Sequence, residues 1–289
     1  MKHLLIVTLL LSSVDLTAQI SFPALSPQGS VSQNVGVTAI TVIYERPAAR
    51  GRNIFGELVP YGELWRTGAG NCTKIKFDGN VLIKNKLIQP GTYSLFTIPS
   101  EQEWTIILNG DTTLYGTGGY DERKDVLRFK VQPKPTSRYY ESLTIDIDVI
   151  PDNAELNISW GNTGISFGIE TETDKKIAKI VNDQLLSGKI KDPQTLAMGA
   201  EYYYFLGRDL ETALALINRA MDIKNSSWYY SLKIDILTKN KRYAEAIETL
   251  RLNIAYLKTN LENLTKEQLD NVLGEQQMQL KELESKIKK

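Results

Sequence analysis

Between Val37 and about Glu170, short apolar runs alternate with turn residues, the spacing of β-strands. VTAITVIYE (37–45) is β-branched and apolar on both faces, as an interior strand is. TKIKF places Thr73, Ile75 and Phe77 on one face; the turn Asp78-Gly79-Asn80 then predicts that VLIK pairs back on it as a hairpin. Pro90-Gly91 turns the chain into TYSLFTI. EWTIIL puts Trp104, Ile106 and Leu108 on one face, and VLRFKV points Leu127, Phe129 and Val131 inward. LTIDIDV alternates Leu143, Ile145, Ile147 and Val149 against Thr144, Asp146 and Asp148. LNISW and GISFGIE close the series on either side of a turn at Gly161-Asn162. Roughly nine or ten such strands predict an antiparallel β-sandwich or barrel.

Near Thr171 the period changes. DKKIAKIVNDQLL carries Ile177, Ile180, Val181 and Leu185 on one helical stripe. The two stretches that follow resemble tetratricopeptide units. Leu210, Ala213 and Ala220 stand where that repeat needs a packing residue and two small ones, because paired helices approach closely there. Tyr243 and Ala246 repeat the first two marks 33 residues later, whereas Asn253 takes the place of a second small residue and Asn225 that of the closing proline. A last helix from about Thr265 spaces Leu269, Val272, Leu273, Leu280, Leu283 and Ile287 in near-heptad fashion. This segment is expected either to pack on itself as a cap or to offer a surface to a protein partner. The organisation read from these patterns is 1–18, 19–170 for the all-β domain and 171–289 for the all-α, tetratricopeptide-like region.

Residues 1–18 have the form of a signal peptide: Lys2 and His3, the apolar run Leu4–Leu11, and small Ala18 before Gln19. The run is much shorter than the roughly 20 residues of a membrane-spanning helix, and no later stretch is apolar enough to span. The expected location is periplasmic or extracellular. Cleavage would remove His3, the only histidine of the 289 residues. That excludes a Ser-His-Asp triad, a Cys-His dyad and histidine-ligated metal. Cys72 is the single cysteine, so neither an internal disulfide nor a thiolate cluster is available. With 34 basic and 34 acidic side chains the net charge is zero, which argues against nucleic acid as a partner. GDTTLYGTGGYDERKD (110–125) is acidic in part but lacks the spacing of a calcium loop. No metal and no cofactor is assigned.

One stretch is denser in chemistry than a connecting loop needs to be: RPAARGRNIFGELVPYGELWRTGAGN, 46–71. With the ITVIYE before it, and PGTYSLFTIP, EWTIILN and DVLRFKV after it, it resembles the domain-of-unknown-function family 2911. That family's marks are an Arg-Pro pair, a Lys/Arg-Gly-Arg turn, Gly-x-Leu-Val-Pro-Tyr-Gly and Trp-Arg-x-Gly-Ala. They stand here as Arg46-Pro47, Arg50-Gly51-Arg52, Gly56 to Gly62 and Trp65 to Ala69. The family's Ala-Asn pair is split by Gly70 before Asn71. The resemblance covers about residues 24 to 170. It implies an exported bacterial β-domain and carries no established activity.

Read from its residues, the loop offers two functions. Arg46, Arg50, Arg52 and Arg66 each present a planar fork of donors suited to carboxylate, sulfate or phosphate, and Tyr61 and Trp65 add flat faces with a polar edge. Together these six define a candidate site for an acidic small molecule or glycan, making the protein a binding or scaffolding component of the cell envelope. The same arginines could instead clasp Glu45, Glu57, Glu63, Asp121, Asp125 or Asp146 and hold the loop down. A different class is a histidine-free glycan hydrolase, using paired carboxylates such as Glu57 and Glu63.

Overall fold

In the computed structural model the described residues are 22–150, 153–260 and 265–287, and they form ten strands and six α-helices. The expected signal peptide lies outside them. Two compact units divide between Thr173 and Asp174.

The first unit is an antiparallel β-sandwich. One sheet holds β1 (Gln28–Val35), β2 (Thr38–Glu45), β3 (Thr73–Phe77), β6 (Gly91–Ile98), β7 (Trp104–Asn109) and β8 (Asp125–Val131), in the order β1-β2-β3-β6-β7-β8. The other holds β4 (Val81–Ile83), β5 (Lys86–Ile88), β9 (Lys134–Ile150) and β10 (Asn153–Thr171), ordered β5-β4-β10-β9. Alternating residues of both sheets, among them Val42, Ile75, Leu95, Ile106, Leu143, Leu156 and Phe167, share one core.

Two expectations need correction. VLIK does not pair back on TKIKF. Both edges of β3 are taken, by β2 and β6, so the turn at Asp78 carries the chain into the second sheet, where β4 pairs with β5 and β10. Gly161-Asn162 is not a hairpin turn either. β10 runs through it as one strand, and the register against β9 shifts on both sides of Gly161. The period breaks there because the strand bulges, at a glycine with φ +60°.

The two sheets are laced together along the edge of β9. Ala49 N donates to Glu141 O at 2.7 Å, Leu143 N to Pro47 O at 2.9 Å, and Ile145 N to the Tyr44 hydroxyl at 2.9 Å. Arg46 closes the lacing, its Nε donating to Leu143 O at 3.1 Å and its Nη2 to Thr144 Oγ1 at 3.2 Å. The unit ends at Thr173, which is buried and whose hydroxyl accepts from Val37 N at 3.2 Å.

The second unit, from Asp174 on, comprises α1 (Thr173–Ile180, its first residue belonging to the β unit), a π-helical turn (Val181–Leu186), α2 (Pro193–Leu206), α3 (Leu210–Ile223), α4 (Ser227–Lys239), α5 (Tyr243–Thr259) and α6 (Lys266–Ile287). Asp192, Asp209 and Ser226 cap the first turns of α2, α3 and α4 through their side-chain oxygens. Leu210 and Tyr243 each open the second helix of a pair, and Ala213, Ala220 and Ala246 are fully buried between helices. Asn253, in place of a small residue, is also fully buried; its Nδ2 donates to Gln276 Oε1 of α6 at 3.0 Å.

Candidate functional site

The loop between β2 and β3 folds mostly on its own main chain. Arg52 turns back on the residues before it, Nε donating to Ala49 O at 2.9 Å and Nη2 to Ala48 O at 2.7 Å. Arg50 donates from Nη2 to Leu25 O at 2.8 Å, and its backbone N–H goes to Glu141 Oε1 at 2.8 Å. A small turn follows, closed by Gly56 N to Val59 O at 2.9 Å and Val59 N to Ile54 O at 2.8 Å. It drives Phe55 into a cluster with Trp65, Trp104 and Trp160.

Trp65 is the pivot of the loop. It exchanges backbone hydrogen bonds with Thr97, extending the first sheet locally, and its indole is 8% exposed. Its Nε1 donates to Gly68 O at 3.0 Å. Gly68 has no room for a side chain: a Cβ would lie 2.9 Å from Thr73 Oγ1 and 3.1 Å from Glu45 O. Thr73 Oγ1 donates to Thr67 O, and the Thr67 and Thr97 hydroxyls meet at 3.1 Å, all buried. The Trp-Arg-x-Gly-Ala motif is thus a lock on one loop conformation.

The loop rests on a second apolar layer outside the first sheet, where Cys72, Phe96 and Ile107 are buried under Leu64, Leu114 and Tyr120. Tyr120 is fixed by donating to Asp125 Oδ2 at 2.7 Å and accepting from Arg128 Nη2 at 2.9 Å. Burial, then the bond to Asp125, pushes the Tyr120 phenol up to about 12. Arg66 runs towards this layer, with Nη1 3.6 Å from where a Cβ on Gly116 would lie.

Arg52 and Arg66 line one cavity of about 240 Å³ with Pro47, Leu58, Trp65 and Trp160, and no carboxylate lines it. Among the described residues Arg66 Nε is shut off from solvent with no hydrogen-bond partner. Arg46 and Arg50 stand outside this lining, used as described above, and Tyr61, 41% exposed, lines a different cavity. Trp160 was not singled out by the sequence. Its inward place on a strand was readable, but the loop above it was not.

Of the six acids proposed as clasps, five are occupied elsewhere, and Glu63 is exposed and pairs with no arginine among the described residues. Glu45 Oε1 accepts from Asn71 N and Nδ2, Glu57 from Asn53, Asp121 from Arg123, Asp125 from Arg128, and Asp146 from Ile147 N. Among the described residues, Arg123, Arg128, Arg208, Arg242 and Arg251 pair with carboxylates, whereas Arg46, Arg50, Arg52 and Arg66 do not. Arg46, Arg50 and Arg52 clasp carbonyl oxygens instead, so the guanidinium groups of the loop have no ion-pair partner among the described residues. No cluster of His, Cys, Asp and Glu among the described residues could hold a metal ion, and no described helix is long and apolar enough to cross a membrane.

This domain is an antiparallel sandwich with an arginine-lined, tryptophan-walled cavity under one long loop. Residues 26–169 match the family described as a protein of unknown function (DUF2911), and through this domain the chain belongs to that family. No curated protein and no solved structure matches the chain.

Proposed function

We propose that the β domain is a binding module for a small anionic ligand, held in the cavity between Arg52, Arg66, Trp65 and Trp160. The observation that carries this reading is charge: two arginines without a carboxylate partner among the described residues, Arg52 and Arg66, line a cavity whose walls hold no carboxylate. Such a site attracts an anion before contact and holds it by charge-assisted hydrogen bonds afterwards. Among the described residues Arg52 Nη1 has no hydrogen-bond partner, which leaves it available for this. The apolar walls favour an anion with a compact apolar body. A glycan hydrolase is the weaker reading, because it needs two facing carboxylates, and Glu57 and Glu63 are exposed and line neither this cavity nor the one beside Tyr61.

A second reading concerns the helical unit. Met198, Phe205 and Trp228 are well exposed for residues of their size, which supports a protein partner there. The apolar run Leu4–Leu11 supports export to the periplasm or beyond.

The test is calorimetric titration of the full chain with benzoate, acetate and sulfate. A charge-assisted contact contributes on the order of 1.5–3 kcal/mol, so Arg52→Ala should weaken binding about tenfold or more at about 1.4 kcal/mol per decade. Absence of binding by all three anions, or equal binding by a folded Arg52→Ala, would refute the reading.

A further inference from the structure

A second cavity of the β domain, about 200 Å³, is built on the same small turn. Leu58 and Val59 face the first cavity; Phe55 and Tyr61 face this one, with Trp104 beyond them. Its chemistry is different.

Three features coincide there. The first is an aromatic wall. Tyr61 lies close over Gly56, where a Cβ would come 3.1 Å from Cε2 of the ring. The second is the bulge of β10. The register shifts around Gly161 turn the strand locally and send Asn162 and Thr163 to the cavity wall. A bulge commonly re-aims a side chain in this way. Glycine suits position 161 because its φ of +60° is one that residues with a side chain rarely adopt, and a Cβ there would also press on Ile54 Cδ1 of the loop at 2.9 Å. The third is a set of unused polar groups: Glu101, Lys134, Asn162 and Thr163 all line the cavity, and none makes a side-chain hydrogen bond or ion pair among the described residues.

The balance of these groups selects the ligand. Glu101 opposes an anion and Lys134 opposes a cation, so the wall favours a neutral molecule. A carboxylate only accepts hydrogen bonds, an ammonium only donates, and amide and hydroxyl do both. A ligand that satisfies all four needs several groups around one ring that each donate and accept. Sugar hydroxyls do this, and the C–H face of a pyranose ring carries the slight positive charge that the face of an aromatic ring attracts. A cavity of about 150 Å³ takes a bare six-membered ring, so 200 Å³ takes a ring with substituents. We infer that this cavity is a binding site for a pyranose residue of a neutral sugar, separate from the anion cavity.

The experiment is saturation-transfer NMR and titration of the full chain with methyl β-D-glucopyranoside, methyl β-D-galactopyranoside, methyl α-D-mannopyranoside and methyl N-acetyl-β-D-glucosaminide, up to about 10 mM, since single sugar rings bind near the weak end of the affinity scale. At least one should bind. Tyr61→Ala and Asn162→Ala remove exposed side chains, so both should melt with the wild type, and either one that does is sufficient. Each should weaken binding about tenfold, and Tyr61→Phe should keep it within about threefold. Failure of every glycoside to bind, or binding indifferent to Asn162→Ala, would overturn the assignment.

Discussion

Trp65 and Trp160 lie nearly parallel, with 20° between ring planes and 5.9 Å between centroids, although one comes from a loop and the other from the bulged strand β10. The pair joins the candidate site to the core, so the loop and the sandwich stand or fall together. Trp65→Ala should cost about 3–5 kcal/mol, as large aromatic truncations do. Calorimetry should show the β domain melting lower by about 10 °C or more. A loss below about 1 kcal/mol would mean that the loop is only laid on the core.

The end of the β domain offers a sharper test. Thr173 fills space beside the β1–β2 turn and accepts from Val37 N, and Asn80 Nδ2 donates to Glu172 at 3.0 Å. A fragment of residues 22–170 lacks both contacts; one of residues 22–175 keeps them. The longer should be more stable in urea by about 1–3 kcal/mol. Equal midpoints would show that strand β10 needs nothing after it.

Tyr120 supplies a pH dependence. Its phenol titrates higher in the folded chain than in the unfolded one. The neutral form is therefore favoured by folding, and the stability it contributes is complete below about pH 10. That contribution fades as the pH rises towards about 12. Urea unfolding at rising pH should show the advantage of the wild type over Tyr120→Phe shrinking across this window. A difference that stays constant would mean that the Asp125 bond does not depend on the phenol proton.

In the helical unit, Gln276→Ala should cost more than Asn253→Ala. Asn253 is fully buried and its Oδ1 already lacks a partner. Removing Gln276 leaves its Nδ2 unpaired as well, at about 1–3 kcal/mol, whereas Asn253→Ala removes the orphaned oxygen together with the bond. Helical circular dichroism during denaturation reads the order, and the reverse order would place the polar pair in contact with water.

The core faces of β7, β8 and β9 were legible because period-2 alternation survives in Trp104-Ile106-Leu108, Leu127-Phe129-Val131 and Leu143-Ile145-Ile147, all largely buried. Val149 continues the pattern but lies beyond the core and is 51% exposed. β1 was not legible: only Val35 in QGSVSQNV is buried, because this is a polar edge strand. A turn and a bulge look alike at Gly161-Asn162, since both need a glycine and both break the period. The density of arginines was legible, but their partners were not. Carboxylates show in a sequence as charges, whereas a carbonyl acceptor is present at every residue and only the fold selects Ala48, Ala49 and Leu143.

The lacing along β9 has a further consequence. A strand of 17 residues at the margin of a sheet ordinarily presents a row of unpaired peptide groups that another chain can copy. Here the outward peptide groups of Glu141, Leu143 and Ile145 are occupied by Ala49, Pro47, Arg46 and Tyr44. The Arg-Pro segment thereby acts as a guard against self-assembly. Damage to it should appear first as fibrillar association of an otherwise folded protein, before any change in what the cavities hold.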